Sequence, residues 1–217
     1  MHFETPSKVV KSFKEFLSHY AMIVLSILTA LALEQIALST HHQAEASSAK
    51  VEIEQEIREN HARISAASKE LDETLKVWRA LMADGVVQLK AHNASSSERL
   101  NLLRKAASYY RDGLPSLRTN AWDAAIASQS VNYLNQSDLR RYSELYSTQK
   151  FVSQTVLNLA LDGTIQNMAD MTLALNTENV DPLEAVRILN WRVRTLSMIQ
   201  SNLAQLDAAL NKASSVK

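Results

Sequence analysis

The stretch AMIVLSILTALALEQIALSTHH, Ala21–His42, decides how the rest of this chain is interpreted. From Ala21 to Leu33 it carries no charge, and only Ser26 and Thr29 are polar. As a helix these residues rise roughly 20 Å, which is less than the ~30 Å hydrocarbon core of a bilayer. A longer helix over Phe16–Leu38 reaches about 34 Å and is therefore long enough to cross a membrane.

Three interpretations of this stretch compete. A soluble amphipathic helix would carry polar residues along one face, and the run from Ala21 to Leu33 does not. A cleaved signal peptide needs a small-x-small site soon after the apolar run, but the AEA at Ala44–Ala46 lies 13 residues beyond Leu33. We therefore favour a retained membrane anchor, with cleavage and a soluble helix as the alternatives.

Basic residues beside the anchor predict its orientation. Three lysines precede it, whereas the first Lys or Arg after it is Lys50. The positive-inside rule then places the N-terminus in the cytoplasm and residues from about 40 onward on the other side of the membrane. We predict three parts, namely a cytoplasmic N-terminus over 1–15, a transmembrane anchor over 16–38 and an extracytoplasmic helical domain over 39–217.

The composition of the chain favours long helices and excludes several classes of function. The 217 residues include only 3 Gly and 3 Pro, so few tight turns are expected. The 23 basic and 23 acidic residues balance, which predicts no nucleic-acid partner. The absence of Cys removes thiol catalysis and cysteine metal sites, and three glycines cannot build a phosphate-binding loop.

Heptad periodicity predicts a helix over residues 47–83, and two arrangements are open: a stalk continuous with the anchor, or a separate helix. One seam repeats every seven residues at Ile57, Ile64, Leu71 and Trp78. A second seam contains Ile53, Ala67 and Leu81 and is interrupted by Asn60 and Thr74. We predict ion pairs four residues apart on the exposed faces, at Glu54–Arg58, Glu59–Arg63 and Asp72–Lys76. Asp84-Gly85 is the first predicted interruption.

Capping signals and apolar spacing predict the later helices. The second begins at Ser95, because Glu98 completes a capping box. Its apolar face is predicted to be Leu100, Leu103, Ala107 and Tyr110, and the DGLP of Asp112–Pro115 ends it. A short helix follows near Asn120–Gln129, and a fourth is capped by Ser137-Asp138 and reaches about Leu175.

The last helix has the strongest start signal of the chain. Asp181 is the predicted N-cap, Pro182 the first helical residue and Glu184 the third, and the helix runs to about Asn211. Its leucines repeat every seven residues at Leu189, Leu196, Leu203 and Leu210, like a zipper. Further apolar residues widen this stripe and favour the core of a single chain over a dimeric coiled coil, namely Ile188, Trp191, Ile199 and Leu206.

The predicted fold class is therefore all-α, with an N-terminal transmembrane helix that runs into an antiparallel bundle of four or five helices. We predict no catalytic residue, no cofactor and no metal site. His41, His42 and Glu45 form the best metal-like group, but three ligands make a weak site and a solvated pair beside the membrane is favoured.

Three residues of the anchor are predicted to contact another membrane subunit. Ser26 and Ala30 have the small-xxx-small spacing that lets two helices approach closely. Glu34 is an ionisable group near the edge of the span, where it either reaches the interface or pairs with a partner.

Two segments together resemble a loose group of uncharacterised bacterial single-span membrane proteins. The first is AMIVLSILTALALEQ followed by VEIEQEIRENHARI, in which Glu56, Ile57 and Asn60 match an E-I-x-x-N pattern. The second is Leu117–Gln149, with Trp122, a small-residue stretch and a helix that ends at Tyr146. The resemblance implies a bacterial inner-membrane protein with a single-span anchor and a helical periplasmic domain, and it implies no activity.

These patterns favour a non-enzymatic, membrane-anchored module. Its expected partner is another membrane or periplasmic protein, or a second copy in a homo-oligomer. The alternative is an extracytoplasmic sensory domain that binds a small ligand and signals through a separate membrane protein. A hydrolase whose site has no linear motif is a third hypothesis.

Overall fold

A computed structural model of the chain describes residues 13–91, 95–109, 114–178 and 180–214, except for the side chains of 162–164. These residues form five α-helices and one 3-10 helix and contain no strand, which confirms the predicted all-α class. The elements are α1 Phe13–Ala91, α2 Ser96–Ser108, α3 Asn120–Ala127, η1 Ser130–Tyr133, α4 Gln136–Thr177 and α5 Pro182–Ser214.

Helix α1 is continuous over 79 residues, so the apolar stretch and the heptad stretch belong to one helix. The interruption predicted at Asp84-Gly85 is wrong, because Gly85 is buried where α1 packs against α5. A Cβ atom at Gly85 would lie 3.2 Å from Leu189 Cδ1 and 3.4 Å from Val186 Cγ2. This glycine allows a close approach of two helices rather than a turn.

Helices α1 and α5 run in opposite directions. Arg79 donates to the Ser197 hydroxyl, whereas His61, eighteen residues earlier by number, lies 3.3 Å from Asp207. Residue numbers therefore fall along α5 as they rise along α1. The heptad leucines of α5 are buried in the core of the same chain, as predicted, namely Leu189, Leu196, Leu203 and Leu210.

Helix α4 also packs against α5, and polar side chains bridge it to α1. Lys50 of α1 pairs with Asp138 at the start of α4. Further along both helices, Asn60 bonds to Gln149. Numbers rise together along both helices, so α1 and α4 run in the same direction. The three long helices thus lie side by side, with α5 antiparallel to the other two.

The caps confirm the local signals in two helices and correct them in a third. Ser95 and Glu98 bond reciprocally, with Ser95 N–H donating to Glu98 Oε2 at 2.7 Å. Asp181 accepts from the Leu183 N–H at 2.8 Å. The cap predicted for α4 at Ser137-Asp138 is wrong, because Asn135 accepts from the Asp138 N–H at 2.8 Å instead.

Two apolar faces differ from the prediction. In α2 the buried residues are Leu100, Leu102, Leu103 and Ala106, whereas Ala107 is exposed. The face that packs is therefore rotated from the predicted one, and Tyr110, Asp112 and Gly113 lie outside the described residues. In α5, Trp191 is exposed, so it does not widen the core stripe as predicted.

The predicted ion pairs within α1 are also wrong. Glu59 pairs with Arg118 at 2.8 Å, and Glu54 accepts from the Tyr142 hydroxyl at 3.0 Å. Asp72 bonds to Gln200 of α5, and Lys76 pairs with Glu73. Three acidic side chains of α1 therefore bond to other elements of the fold, and Glu59 also accepts from Gln55 of its own helix.

Candidate functional site

Residues 13–41 of α1, here called the apolar segment, project beyond the packed helices. All of them are exposed except Val24, which is half-buried. The helix is long and apolar enough to cross a membrane, judged by length and composition. The large apolar side chains exposed in this segment are Phe13, Phe16, Leu17, Tyr20, Met22, Ile23, Leu25, Ile27, Leu28, Leu31, Leu33, Ile36 and Leu38.

The three predicted partner-contact residues, Ser26, Ala30 and Glu34, all lie exposed on the apolar segment. The Ser26 hydroxyl donates to the Met22 carbonyl oxygen of its own helix at 2.8 Å. Because that hydrogen bond is satisfied internally, Ser26 presents a small surface rather than a free donor. The contact of these residues with another subunit stays a prediction.

The two histidines at the end of the apolar segment make different contacts. His41 Nε2 lies 3.3 Å from Glu45 Oε1, on the exposed side of the helix. His42 instead stacks on Tyr133 of η1, with ring centroids 3.8 Å apart and an interplanar angle of 9°. Within the part of the chain that the structure describes, no three side chains of metal-binding type come together.

A buried polar cluster, here called the Glu56–Asn60 cluster, joins α1 to α4 and to the segment before α3. The Tyr146 hydroxyl donates to Glu56 Oε1 at 2.6 Å, and the Ala121 N–H donates to Glu56 Oε2 at 3.0 Å. Both carboxylate oxygens are therefore occupied by donors of the same fold. Trp122 covers the site, its ring stacked on Tyr146 with centroids 5.3 Å apart.

Asn60 completes this cluster four residues further along α1. Its Nδ2 donates to the Arg118 carbonyl oxygen at 2.8 Å, and its Oδ1 accepts from the Arg118 N–H at 2.9 Å. Gln149 donates to the same carbonyl at 2.9 Å. The Asn60 side chain thus pairs with one backbone unit as a neighbouring strand would, and fixes the segment before α3 on α1.

The Glu56–Asn60 cluster brings together the two segments on which the family resemblance depends. Glu56 and Asn60 come from the first, and Trp122 and Tyr146 come from the second. Burial raises the pKa of Tyr146, and its hydrogen bond to Glu56 raises it further, so the phenol keeps its proton. The arrangement holds three elements together, with each oxygen of Glu56 bonded to a donor of the same fold.

A second polar cluster, the Asp138 cluster, lies where α4 begins. Lys50 donates to Asp138 Oδ2 at 2.6 Å, and Arg141 lies 2.9 Å from Asp138 Oδ1. Burial alone would raise the pKa of Asp138, but hydrogen bonds from Lys50 and Asn135 outweigh it and hold the pKa below its usual value. Burial also raises the pKa of the neighbouring Tyr142.

An open groove of about 590 Å³ lies beside the Asp138 cluster, between α4 and α5. Arg140, Arg141, Glu144 and Lys212 contribute its charged lining, and Leu145, Ala209 and Ala213 its apolar floor. This size is within the range of small-molecule sites. The sequence offered no motif for this groove, because its walls come from residues about 70 positions apart.

A buried arginine in α5 was also missed by sequence reasoning. Arg192 is fully buried, with its guanidinium carbon 5.9 Å from the centre of the Trp78 ring. Nearby in α5, the Ile188 carbonyl oxygen accepts from buried Asn167 of α4 at 2.8 Å. For Arg192 and for Asn167, the only sequence signal was a polar residue among the apolar positions of its own helix.

No known protein family, curated protein or solved structure matches this chain. Its function is therefore argued from its own geometry.

Proposed function

We propose that this chain is a non-enzymatic, membrane-anchored helical module that binds or scaffolds another protein of the bacterial envelope, or a second copy of itself. In this proposal the apolar segment spans the inner membrane, the N-terminus is cytoplasmic and the antiparallel helical bundle is periplasmic. The observation that carries it is an apolar helix segment whose side chains are exposed, apart from half-buried Val24, and which is continuous with a packed domain.

The exposure of the apolar segment supports a lipid environment. Its apolar side chains surround the helix on all sides, and contiguous exposed apolar surface of this extent is rare on soluble monomers. Each of these large side chains contributes roughly 1.5–3 kcal/mol when it is removed from water. A bilayer supplies that burial without any further protein.

A row of exposed apolar residues on α4 supports binding to another protein. Leu157, Leu161, Ile165 and Met168, here called the α4 stripe, recur at the spacing of one helix face and are 44%, 49%, 66% and 46% exposed. An uncovered apolar row of this kind is typical of a protein–protein contact. The satisfied carboxylate of Glu56 supports a structural rather than a catalytic use of the buried polar groups.

Extraction of the full chain in mild detergent tests the proposal. We expect the wild-type protein to migrate as a complex or homo-oligomer, and the double variant Leu161→Glu/Ile165→Glu to migrate as a monomer with an unchanged melting temperature. Leu173→Glu is the matched control, because Leu173 is 64% exposed on the same helix but lies off the stripe. A wild-type chain that is a lone monomer in both detergent and nanodiscs would contradict the proposal.

The groove between α4 and α5 favours the second candidate, a sensory domain for a small ligand. Arg141 in its lining is already paired with Asp138, but Arg140 and Lys212 add two positive charges against one glutamate, so an anionic ligand fits its chemistry best. A concentration-dependent rise in melting temperature with small carboxylates or phosphate, lost in Arg140→Gln, would support this function over scaffolding.

A further inference from the structure

The corner between α3 and α4, residues 129–134, is the part of the domain that packs on α1 closest to the apolar segment. Gln129 adopts a left-handed conformation, with φ 61°, and turns the chain into η1. The buried Ser130 hydroxyl donates to the Ala125 carbonyl oxygen at 3.2 Å, which ties the corner to α3. This corner, here called the η1 corner, is therefore held in place by its own hydrogen bonds.

Two kinds of contact attach the η1 corner to α1. Val131 and Leu134 pack against the core cluster that includes Ala49. Tyr133 lies further toward the apolar segment, stacked face to face on His42. Tyr133 is still 43% exposed, so one side of the ring meets α1 and the remainder faces outward.

The height of this ring stack above the hydrocarbon boundary of the membrane follows from helix geometry. His42 lies four residues beyond Leu38, where the proposed span ends, so its Cα is about 6 Å above the hydrocarbon boundary. The polar layer on each side of a bilayer is roughly 5–8 Å thick, which is half the difference between the full bilayer and its hydrocarbon core. Side chains of a helix lean toward its N-terminus, which is the membrane side here, so the rings sit slightly lower.

We propose that the η1 corner is a membrane-contact surface, with Tyr133 placed in the phospholipid headgroup layer and held there by His42. This inference rests on the proposed function, because it takes the apolar segment as the membrane span. Tyrosine suits that layer, since its ring meets apolar chains while its hydroxyl bonds to headgroups or water. The exposed Asn132 amide beside it adds polar groups of the same kind.

The contact gives the domain a second attachment to the membrane surface. A single helix leaving a bilayer is free to tilt and to rotate about its axis. A corner that rests on the headgroups about one helix diameter from that axis restricts both motions. The α4 stripe is then presented in one orientation, as binding to another membrane protein requires.

Depth-dependent quenching on the full chain tests this inference. The sequence has no Cys, so single cysteines can carry an environment-sensitive fluorophore without background. The positions are Asn132→Cys in the η1 corner, Leu28→Cys in the span and Leu183→Cys at the far end of the domain. Each labelled protein is reconstituted into phosphatidylcholine vesicles with a nitroxide on the headgroup or, separately, deep in the acyl chain.

We expect the label at residue 132 to be quenched several-fold more by the headgroup nitroxide than by the acyl-chain nitroxide. The label at residue 28 should show the reverse order, and the label at residue 183 should respond to neither. Adding Tyr133→Ala or His42→Ala should reduce the quenching at residue 132, whereas Tyr133→Trp should retain it.

The two proposals fail in different ways. If the label at residue 28 is quenched but the label at residue 132 behaves like the one at 183, the η1 contact is wrong and the anchor stands. If the label at residue 28 is not quenched by either nitroxide, the apolar segment does not span the bilayer and both proposals are overturned.

Discussion

The two halves of α1 have the same backbone geometry and opposite surroundings. In the apolar segment, apolar side chains lie all round the helix and are exposed, whereas from Ala46 onward most of them form a stripe that is buried against α5, η1 and α3, with Val51 and Val87 as exposed exceptions. The comparison teaches that helix continuity and helix environment are separate properties. Backbone propensity extends the helix through both halves, and the distribution of apolar residues around its axis decides what covers each half.

The buried polar residues of the packed half differ in the same sense from the polar residues of the apolar segment. In the apolar segment, the hydroxyls of Ser26 and Thr29 donate to carbonyl oxygens of their own helix at 2.8 Å each. In the packed half, Glu56 and Asn60 bond to other elements of the fold. Internal bonding is what a lipid environment demands, because no water is present there to replace a missing partner.

The largest effect is expected from charges placed in the apolar segment. They test whether the two halves of α1 differ in environment. The double variant Leu25→Arg/Leu28→Arg adds two arginines near the middle of the proposed span, each costing about 2.5–3.5 kcal/mol of insertion free energy. We expect most of the chain to move from the membrane pellet to the soluble or aggregated fraction after alkaline carbonate extraction.

The matched control places arginines on the exposed face of the packed half of the same helix. Val51 and Val87 are 60% and 66% exposed, so Val51→Arg/Val87→Arg should leave the chain in the membrane pellet. Equal behaviour of the two double variants would mean that the halves do not differ in environment.

Loss of the Asn60 side chain is the next largest effect. Asn60→Leu leaves the Arg118 N–H and the Gln149 side chain without this partner in a buried site, at a cost of about 2–4 kcal/mol of unfolding free energy. Thr74→Val is the control, since Thr74 interrupts the same seam but bonds to Glu70 of its own helix. Thermal unfolding followed by tryptophan fluorescence gives the melting temperature of each variant. Equal melting temperatures for the two variants would contradict this prediction.

Local signals predicted much of this fold, and long-range contacts explain what they missed. The caps at Ser95 and Asp181 were predictable because an N-cap involves residues two or three positions apart. The break expected at Gly85 was wrong because burial against Leu189, more than a hundred positions away, overrides a helix penalty of about 1 kcal/mol.

The Glu56–Asn60 cluster shows the same limit for a candidate site. Asn60 was noticed only as an interruption of an apolar seam, although a polar residue at a core position signals a buried hydrogen-bond partner. Its partners are the backbone of Arg118 and the side chain of Gln149, 58 and 89 positions away. No spacing rule connects residues so distant in the chain.

Removal of the Asp138 charge should lower the free energy of unfolding by an amount that depends on pH. The pKa of Asp138 is lowered in the folded state, so its stabilisation is present above the unfolded pKa of about 3.9 and is lost as pH falls through the lower folded value. Asp138→Asn should therefore cost about 1–2 kcal/mol at neutral pH and progressively less below about pH 4. The exposed Asp84→Asn is the control, and a cost for Asp138→Asn that is the same at every pH would contradict the assignment.

The smallest effect is expected at Gly85, where the packed half of α1 comes closest to α5. Alanine gains about 1 kcal/mol of helix propensity over glycine, but its Cβ would meet Leu189 Cδ1 at 3.2 Å, which is slightly too close. The two terms nearly cancel, so Gly85→Ala should change the unfolding free energy by less than about 1 kcal/mol. Gly85→Val adds methyl groups for which there is no room and should cost about 1–3 kcal/mol in thermal unfolding. If both variants stabilised the fold, the packing of α1 against α5 would not require a glycine at residue 85. The close approach of the two helices would then have another cause.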